Sequence, residues 1–183
     1  MIPLPDSPLC AAGLQLRPLA SGDFAAVRDA REHPASAAFV NPVPAADGGG
    51  LVELVEEARR ADKRLHLAIT DAPETEYLGE IVLFLRTAEA SEAGIGELFY
   101  VVAPHARGRG VASTALRLLS AWALTALRLE RLQLSIPPDD AASHRVADKA
   151  GFRYEGILRS TKVIRGERVD NAMYSLLPGD TII

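Results

Sequence analysis

The chain has 183 residues, of which 48% are hydrophobic and 24% charged, and its net charge is −4. That length fits one domain with a core of its own, and that composition excludes a disordered chain. The acidic balance gives no support for nucleic-acid binding, and the longest apolar stretch, Leu118 to Leu127, is interrupted by Ser120 and Thr125 and is too short to span a membrane.

Cys10 is the only cysteine, so neither a disulfide framework nor a thiolate metal site is available and an inert thiol is expected. The opening residues Met1-Ile2-Pro3-Leu4-Pro5-Asp6 lack a basic stretch ahead of an apolar one, so no signal peptide is read and a cytoplasmic protein is expected.

In chain order, Leu14 to Leu19 alternates in polarity and predicts a first strand. Ser21 is placed to cap a helix over about Gly22 to Arg31 that turns Phe24 and Val27 inward. Asn41 to Gly50 is rich in Pro and Gly and predicts a loop. Leu51, Leu54, Val55 and Ala58 mark one face of a second helix whose other face carries Glu53, Glu56, Glu57, Arg59 and Arg60. Leu65, Leu67 and Ile69 predict a second strand, Asp71 to Thr75 a turn, and Tyr77 to Leu85 a third strand. Ala88 to Gly94 reads as a hairpin loop, and Glu97 to Val102 as a fourth strand ended by Ala103-Pro104.

The longest helix runs from Val111 to about Leu127, with Val111, Ala115, Leu118, Leu119, Trp122 and Ala126 as its buried stripe. Leu132, Leu134 and Ile136 form a fifth strand that Pro137-Pro138 stops. Asp139 or Asp140 caps a helix through Ala150, with Val146 and Ala150 inward and Gly151 as its end. Phe152 to Leu158 and Val169 to Leu177 are the last two strands. Short turns make the middle strands antiparallel, whereas a helical crossover makes the strands flanking the long helix parallel. The expectation is one α/β domain over residues 1–183, with its core at about 14–177. Its sheet is mixed, twisted and mostly antiparallel, with about seven strands flanked by about four helices.

The run Arg107-Gly108-Arg109-Gly110-Val111-Ala112-Ser113-Thr114 opens directly into the longest helix, and His105, Arg107, Arg109 and Arg117 surround it without an acid among them. Such a turn offers unpaired backbone N–H groups and a positive helix end, which together bind phosphate. A P-loop needs a Lys before its Ser or Thr, and Ala112 stands there. A dinucleotide fingerprint needs Gly or Ala where Ser113 stands and an acid at the end of the next strand, whereas Glu130 precedes that strand. The pattern Arg/Gln-x-x-Gly-x-Gly/Ala fits Arg107, Gly110 and Ala112.

On these residues the chain resembles the GNAT superfamily of acyl-CoA-dependent N-acetyltransferases. Glu97 to Pro104 resembles the family's fourth strand, and Pro138 to Ser143 with Val146 and Lys149-Ala150-Gly151-Phe152 resembles its downstream cofactor-binding helix and next strand. Glu155 to Arg159, Arg165-Gly166 through Asp170, and Tyr174 to Leu177 resemble the Rim-type branch that acetylates ribosomal-protein N-termini. The resemblance covers about Leu14 to Leu177 and implies acetyl-CoA as cosubstrate, with its pyrophosphate on the amides of Arg107, Gly108, Arg109, Gly110, Val111 and Ala112, and Ser113 in the first turn behind them. It also implies that the backbone near Val101 and Val102 receives the acyl carbonyl where the fourth strand splays from the fifth.

Amide formation from a thioester needs a neutral amine, a donor for the developing oxyanion and stabilisation of the departing sulfur. Family members often carry a proton-donating Tyr at the position matching Ala147, which is absent here, and Ser143 is the next candidate for that role. Ser143 alternatively serves only the first turn of its helix. Asp140 stands where the branch usually has Asn contacting the pantetheine arm, and it reads equally as a plain helix cap. Glu97 is the first candidate for a base, with Glu80, Glu155 and Asp170 behind it; Asp170 is also a candidate to bind a substrate amine. His66 and His105 read as surface residues, and no cluster has metal-ligand spacing, so no metal is expected.

The resulting expectation is direct acetyl transfer from acetyl-CoA to a primary amine, most naturally a protein N-terminal α-amine by resemblance, without a covalent intermediate on Cys10. A small-molecule amine acceptor, a non-catalytic acyl-CoA sensor and a dinucleotide-binding fold are the alternatives. Neither nucleic acid nor membrane is an expected partner, and a homodimer through the last strands is compatible with the sequence.

Overall fold

A computed structural model describes residues 1–42, 47–72, 76–86 and 94–180. Among them are eight strands: β1 (Leu9–Ala11), β2 (Leu14–Pro18), β3 (Arg64–Asp71), β4 (Tyr77–Arg86), β5 (Ile95–Val102), β6 (Arg131–Ile136), β7 (Arg153–Ile164) and β8 (Glu167–Leu176). Five helices accompany them: α1 (Phe24–Glu32), α2 (Pro34–Ala37), α3 (Gly48–Arg60), α4 (Val111–Ala126) and α5 (Ala141–Lys149). The strands form a single sheet in the order β1-β2-β3-β4-β5-β6-β8-β7. Every neighbouring pair is antiparallel except β5 and β6, which are parallel because α4 carries the chain back across the sheet between them.

Alternation along the central strands sends side chains to two covered faces. Leu65, Leu67 and Ile69 of β3, Ile81 and Leu83 of β4, Leu98 of β5 and Leu132 and Leu134 of β6 meet Val111, Ala115, Leu116 and Leu119 of α4 in the main core. On the other face, Ala68 packs with Val27 of α1 and with Leu51 and Val55 of α3. Val101 packs with Ala30 and Val40 beside it. Glycine is needed in β5 where side chains of the main core close over it. A Cβ on Gly96 would lie 2.7 Å from Leu83 Cδ1 and 2.9 Å from Leu129 and Leu132.

The mixed sheet and its parallel seam agree with the sequence expectation, while several boundaries differ. β1 is three residues long and carries no alternation to read. α2 is a single turn. α3 begins at Gly48, inside the stretch expected to be loop, because Asp47 caps it by accepting from Gly50 N at 2.7 Å. Ser21 does not cap α1: a 3-10 turn, Ser21–Asp23, leads into it, and the Asp23 carboxylate closes that turn by accepting from Ala20 N at 2.8 Å and pairs with Arg17 at 2.7 Å. Leu54 and Ala126 are exposed, and Leu116 takes the place Ala126 was given in the buried face of α4.

β7 is twelve residues long, since its ladder with β8 resumes after a break between Leu158 and Lys162. Ser160 sits in that break at φ +55°, with its amide donating to Asp170 Oδ1 at 2.8 Å. Residues 43–46 of the expected loop at Asn41 to Gly50, residues 88–93 of the one at Ala88 to Gly94, and residues 73–75 of the turn at Asp71 to Thr75 lie outside the described residues.

Candidate functional site

β5 pairs with β6 through four positions, Ile95 with Arg131 to Leu98 with Leu134, and then runs on alone from Phe99 to Val102. Its other edge stays paired to β4 as far as Gly79 opposite Val102. β4 presses close there, for a Cβ on Gly79 would lie 2.4 Å from the Val101 carbonyl oxygen. One edge of β5 is therefore fixed, and the other opens into a gap towards α5. Backbone groups freed in this way keep their hydrogen-bonding capacity and are available to a ligand.

The turn expected to bind phosphate lies at the mouth of the same gap. Gly110 occupies the N-cap of α4 at φ +80° and Gly108 adopts φ +74°. A Cβ at either position would meet no protein atom within 4 Å, so the space above both is open. The amides of residues 108–113 have no acceptor among the described residues. Ser113 hydroxyl donates to Gly110 O at 3.0 Å, which closes the turn without using an amide. The N-terminus of a sixteen-residue helix with several free N–H groups is a ready site for an anion.

Arg107 does something the sequence does not suggest. Its guanidinium turns from the open amides, donating from Nε to Val102 O at 3.2 Å and from Nη2 to Ser36 Oγ at 2.6 Å. It therefore ties the cofactor turn to the end of β5 and to α2. Arg145 and Lys149 of α5 line the cleft, while Arg109 is exposed beside it.

Across the gap, Asp140 caps α5 by accepting from Ser143 N at 3.0 Å, and its second oxygen accepts from the Ser143 hydroxyl at 2.7 Å. Tyr100, on the freed part of β5, also lines the cleft. Its hydroxyl oxygen is buried beside Ser143 and Asp140 but makes no hydrogen bond. Burial pushes this phenol above its ordinary pKa, and the Asp140 charge adds to it. Ser36, Phe39 and Val40 close the far wall, and the cleft holds about 310 Å³.

The structure thus brings Val101, Val102, Arg107, Gly108, Gly110, Val111, Ala112, Ser113, Asp140 and Ser143 to one cleft. Glu97 lies elsewhere. It sits on the face away from Leu98, ion-paired with Lys162 and 3.5 Å from Arg86. Glu80 is fully buried between Arg31, at 2.5 Å and 3.0 Å, and His66, at 2.6 Å. Burial alone would raise its pKa, and these hydrogen bonds overrule it and hold the carboxylate below its usual range. Glu155 is held by Arg131, chiefly through their hydrogen bonds, at about 2, too low for a useful base. Asp170 is spent on the Ser160 amide.

His66, expected at the surface, is buried because both faces of β3 are covered; His105 is exposed and lies 3.0 Å from Glu76. Ala147 is fully buried in the main core. Among the described residues no group of His, Cys, Asp or Glu is arranged to hold a metal, and no helix is long and apolar enough to cross a membrane. Ser36, Phe39 and Tyr100 are not legible as cleft residues: α2 and the turn after it are too short to show periodicity, and an aromatic residue in a strand reads as core.

Residues 14–153 match the family described as an acetyltransferase (GNAT) domain. The curated protein named "Probable N-acetyltransferase YjcK" of Bacillus subtilis is 29% identical over 125 residues, covering 68% of this chain and 68% of that protein. Mycobacterium smegmatis RimJ, solved in complex with CoA-disulfide, superposes with a TM-score of 0.76 at 23% identity over 93% of this chain and 86% of its own. A ribosomal-protein-S5-alanine acetyltransferase from Vibrio fischeri superposes with a TM-score of 0.78 at 20% identity, covering 96% of this chain and 98% of that one. With the family match spanning most of its length and an open strand seam meeting a glycine turn in its fold, this chain belongs to the GNAT acetyltransferases and is an acetyl-CoA-dependent N-acetyltransferase.

Proposed function

We propose that the protein transfers the acetyl group of acetyl-CoA directly to a protein N-terminal α-amine. The observation that carries this reading is the absence, among the described residues lining the cleft, of any carboxylate or imidazole able to take a proton. Asp140 is the one acid there, and both its oxygens serve Ser143. An α-amine titrates at about 7.7–8.0, so a sizeable fraction is neutral at physiological pH, whereas a lysine-like amine near 10.4 needs a base to lose its proton. A cleft without a base suits an acceptor that arrives ready to attack. The lack of an unengaged acid among the described residues lining the cleft also disfavours polycations such as spermidine, which need carboxylate partners.

In this reading the pyrophosphate rests on the amides of residues 108–113, with Arg145 and Lys149 beside it. The thioester lies along the freed edge of β5, where backbone N–H groups near Val101 and Val102 face the carbonyl oxygen. The amine enters past Ser36, Phe39 and Val40. Ser143, across the gap, serves the departing sulfur. Cys10 is exposed on β1 at the far edge of the sheet, so transfer proceeds without an acyl-cysteine. The name of the Vibrio fischeri relative agrees with this acceptor class.

The test is acetyl-CoA consumption with short peptides bearing a free Ser, Ala or Met N-terminus, the same peptides N-blocked with an internal Lys, and spermidine. Free N-termini are expected to be preferred in kcat/KM by about 100-fold or more, the ratio that the neutral-amine fractions set. Equal or better use of spermidine or the internal Lys overturns the α-amine reading.

A further inference from the structure

Ser143 is badly placed to help a leaving sulfur while its one hydroxyl proton points at Asp140 Oδ2, 2.7 Å away. That bond is charge-assisted and about twice as strong as a neutral one. Turning the proton into the gap leaves Ser143 Oγ without the bond that held it, unless another donor reaches it. The Tyr100 hydroxyl is the donor at hand: it is buried without a hydrogen-bond partner and belongs to the lining of the same cleft as Ser143. A buried hydroxyl without a hydrogen bond is destabilising and calls for an explanation. Ala147, on the same helix as Ser143, offers no donor.

We propose that Tyr100 is a positioning residue for acetyl transfer: its hydroxyl donates to Ser143 Oγ and so turns the Ser143 proton from Asp140 towards the departing CoA sulfur. This rests on the acetyl-transfer reading of the cleft. As the acceptor nitrogen's lone pair forms the new C–N bond, the C–S bond breaks and its electron pair passes to sulfur. The Ser143 hydroxyl hydrogen-bonds that sulfur as its charge grows. The surplus proton on the new amide nitrogen passes to water and balances the released thiolate. Tyr100 keeps its proton throughout and acts only by orienting Ser143. Before CoA binds, the pair rests as seen here, with Ser143 turned to Asp140.

The experiment is a double-mutant cycle in the full chain, with Tyr100→Phe, Ser143→Ala and both together. Acetyl-CoA is the donor, and a peptide with a free N-terminus and spermidine are the probes. Thiol release gives kcat, titration calorimetry gives the acetyl-CoA Kd, and thermal unfolding reports folding. Tyr100→Phe is expected to lower kcat about 10-fold while Kd and Tm stay near wild type. Ser143→Ala lowers kcat further, and the double variant matches Ser143→Ala alone within about 2-fold, because one residue acts through the other.

A Tyr100→Phe protein within about 2-fold of wild type overturns the proposal, as do losses that multiply in the double variant. So does a Tyr100→Phe loss that appears equally in Kd and Tm, since that marks a packing role. A wild-type protein that binds acetyl-CoA yet acetylates neither probe removes the acceptor reading and this proposal with it. Wild-type turnover with an unaffected Tyr100→Phe variant removes this proposal alone.

Discussion

Replacing Glu80 by Gln removes the one negative charge from a buried cluster in which Glu80 is 0% exposed and its partners Arg31 and His66 are 15% and 3% exposed in their side chains. Breaking a buried ion pair by deleting one partner costs about 3–5 kcal/mol, and Arg31's partial contact with solvent places this case near about 3. Unfolding entropy of about 2.1 cal/mol/K per residue, over a chain of 183 residues, gives about 0.38 kcal/mol/K, so Tm should fall by about 8 °C. His66→Gln keeps the carboxylate and its Arg31 pair and loses about 1 kcal/mol of hydrogen bonding, a drop of about 3 °C.

Thermal unfolding followed by circular dichroism at pH 7.5 measures both. A drop below about 3 °C for Glu80→Gln, or a larger drop for His66→Gln, refutes the view that Arg31–Glu80 carries the cluster. The sign with pH follows from the lowered folded-state value. The stabilisation is complete above the unfolded-state value of about 4.3 and is lost as pH falls through the lower folded-state value. Glu80→Gln should therefore flatten the acid limb of the stability curve. Because Glu80 pairs in register with Val101, the variant should also weaken acetyl-CoA binding by a few fold.

Gly110→Val places a β-branched side chain at φ +80° and in the space above the free amides. It should cost about 1–2 kcal/mol of stability and reduce acetyl-CoA affinity about 100-fold, read by calorimetry. Near-normal binding would mean that the phosphates lie elsewhere. Glu97→Gln should leave kcat within about 2-fold, because that carboxylate is committed to Lys162 outside the cleft; a loss of the about 100-fold expected for a general base would restore it to the chemistry. The kcat/KM for a free-N-terminal peptide should rise with pH to a plateau above about 8, tracking the acceptor amine alone. A second limb between pH 4 and 7 would reveal an enzymic base. Asp140→Asn retains a capping side chain but ends the charge-assisted hold on the Ser143 proton. Tm should stay within about 2 °C and kcat should rise by a few fold, and a fall in kcat would show that the carboxylate helps rather than restrains Ser143.

What the sequence makes legible follows from how local its signals are. Gly108 and Gly110 stand out because the turn needs positive φ at both, and the chain says so within four residues. The parallel seam of β5 and β6 is legible because a long helix between two strands admits one connection. β1 and α2 are too short for any period to develop. β7 is hidden by its break at Ser160, where a non-glycine residue at positive φ is held by Asp170, ten residues on. His66 departs from its surface reading because alternation on a strand signals water only when one face is bare, and β3 is covered on both. Tyr100 is the instructive case in the site. Its meaning depends on Ser143, forty-three residues away across a gap, and no pattern within β5 contains that neighbour.

The seam between β5 and β6 has a thermodynamic consequence beyond catalysis. Strands β1 to β5 form a meander of chain neighbours, strands β6 to β8 form a second set, and past Leu98 nothing in the backbone ladder joins them. A ligand lying in that gap would touch β5 on one side and α5, the helix that follows β6, on the other. Its binding energy then enters folding by mass action, adding about 2.7 kcal/mol when its concentration is 100 times Kd. For a chain of this size that equals about 7 °C in Tm. Acetyl-CoA would add to the stability of the folded protein as well as feed its reaction. A cell short of acetyl-CoA would hold fewer folded copies, each working more slowly.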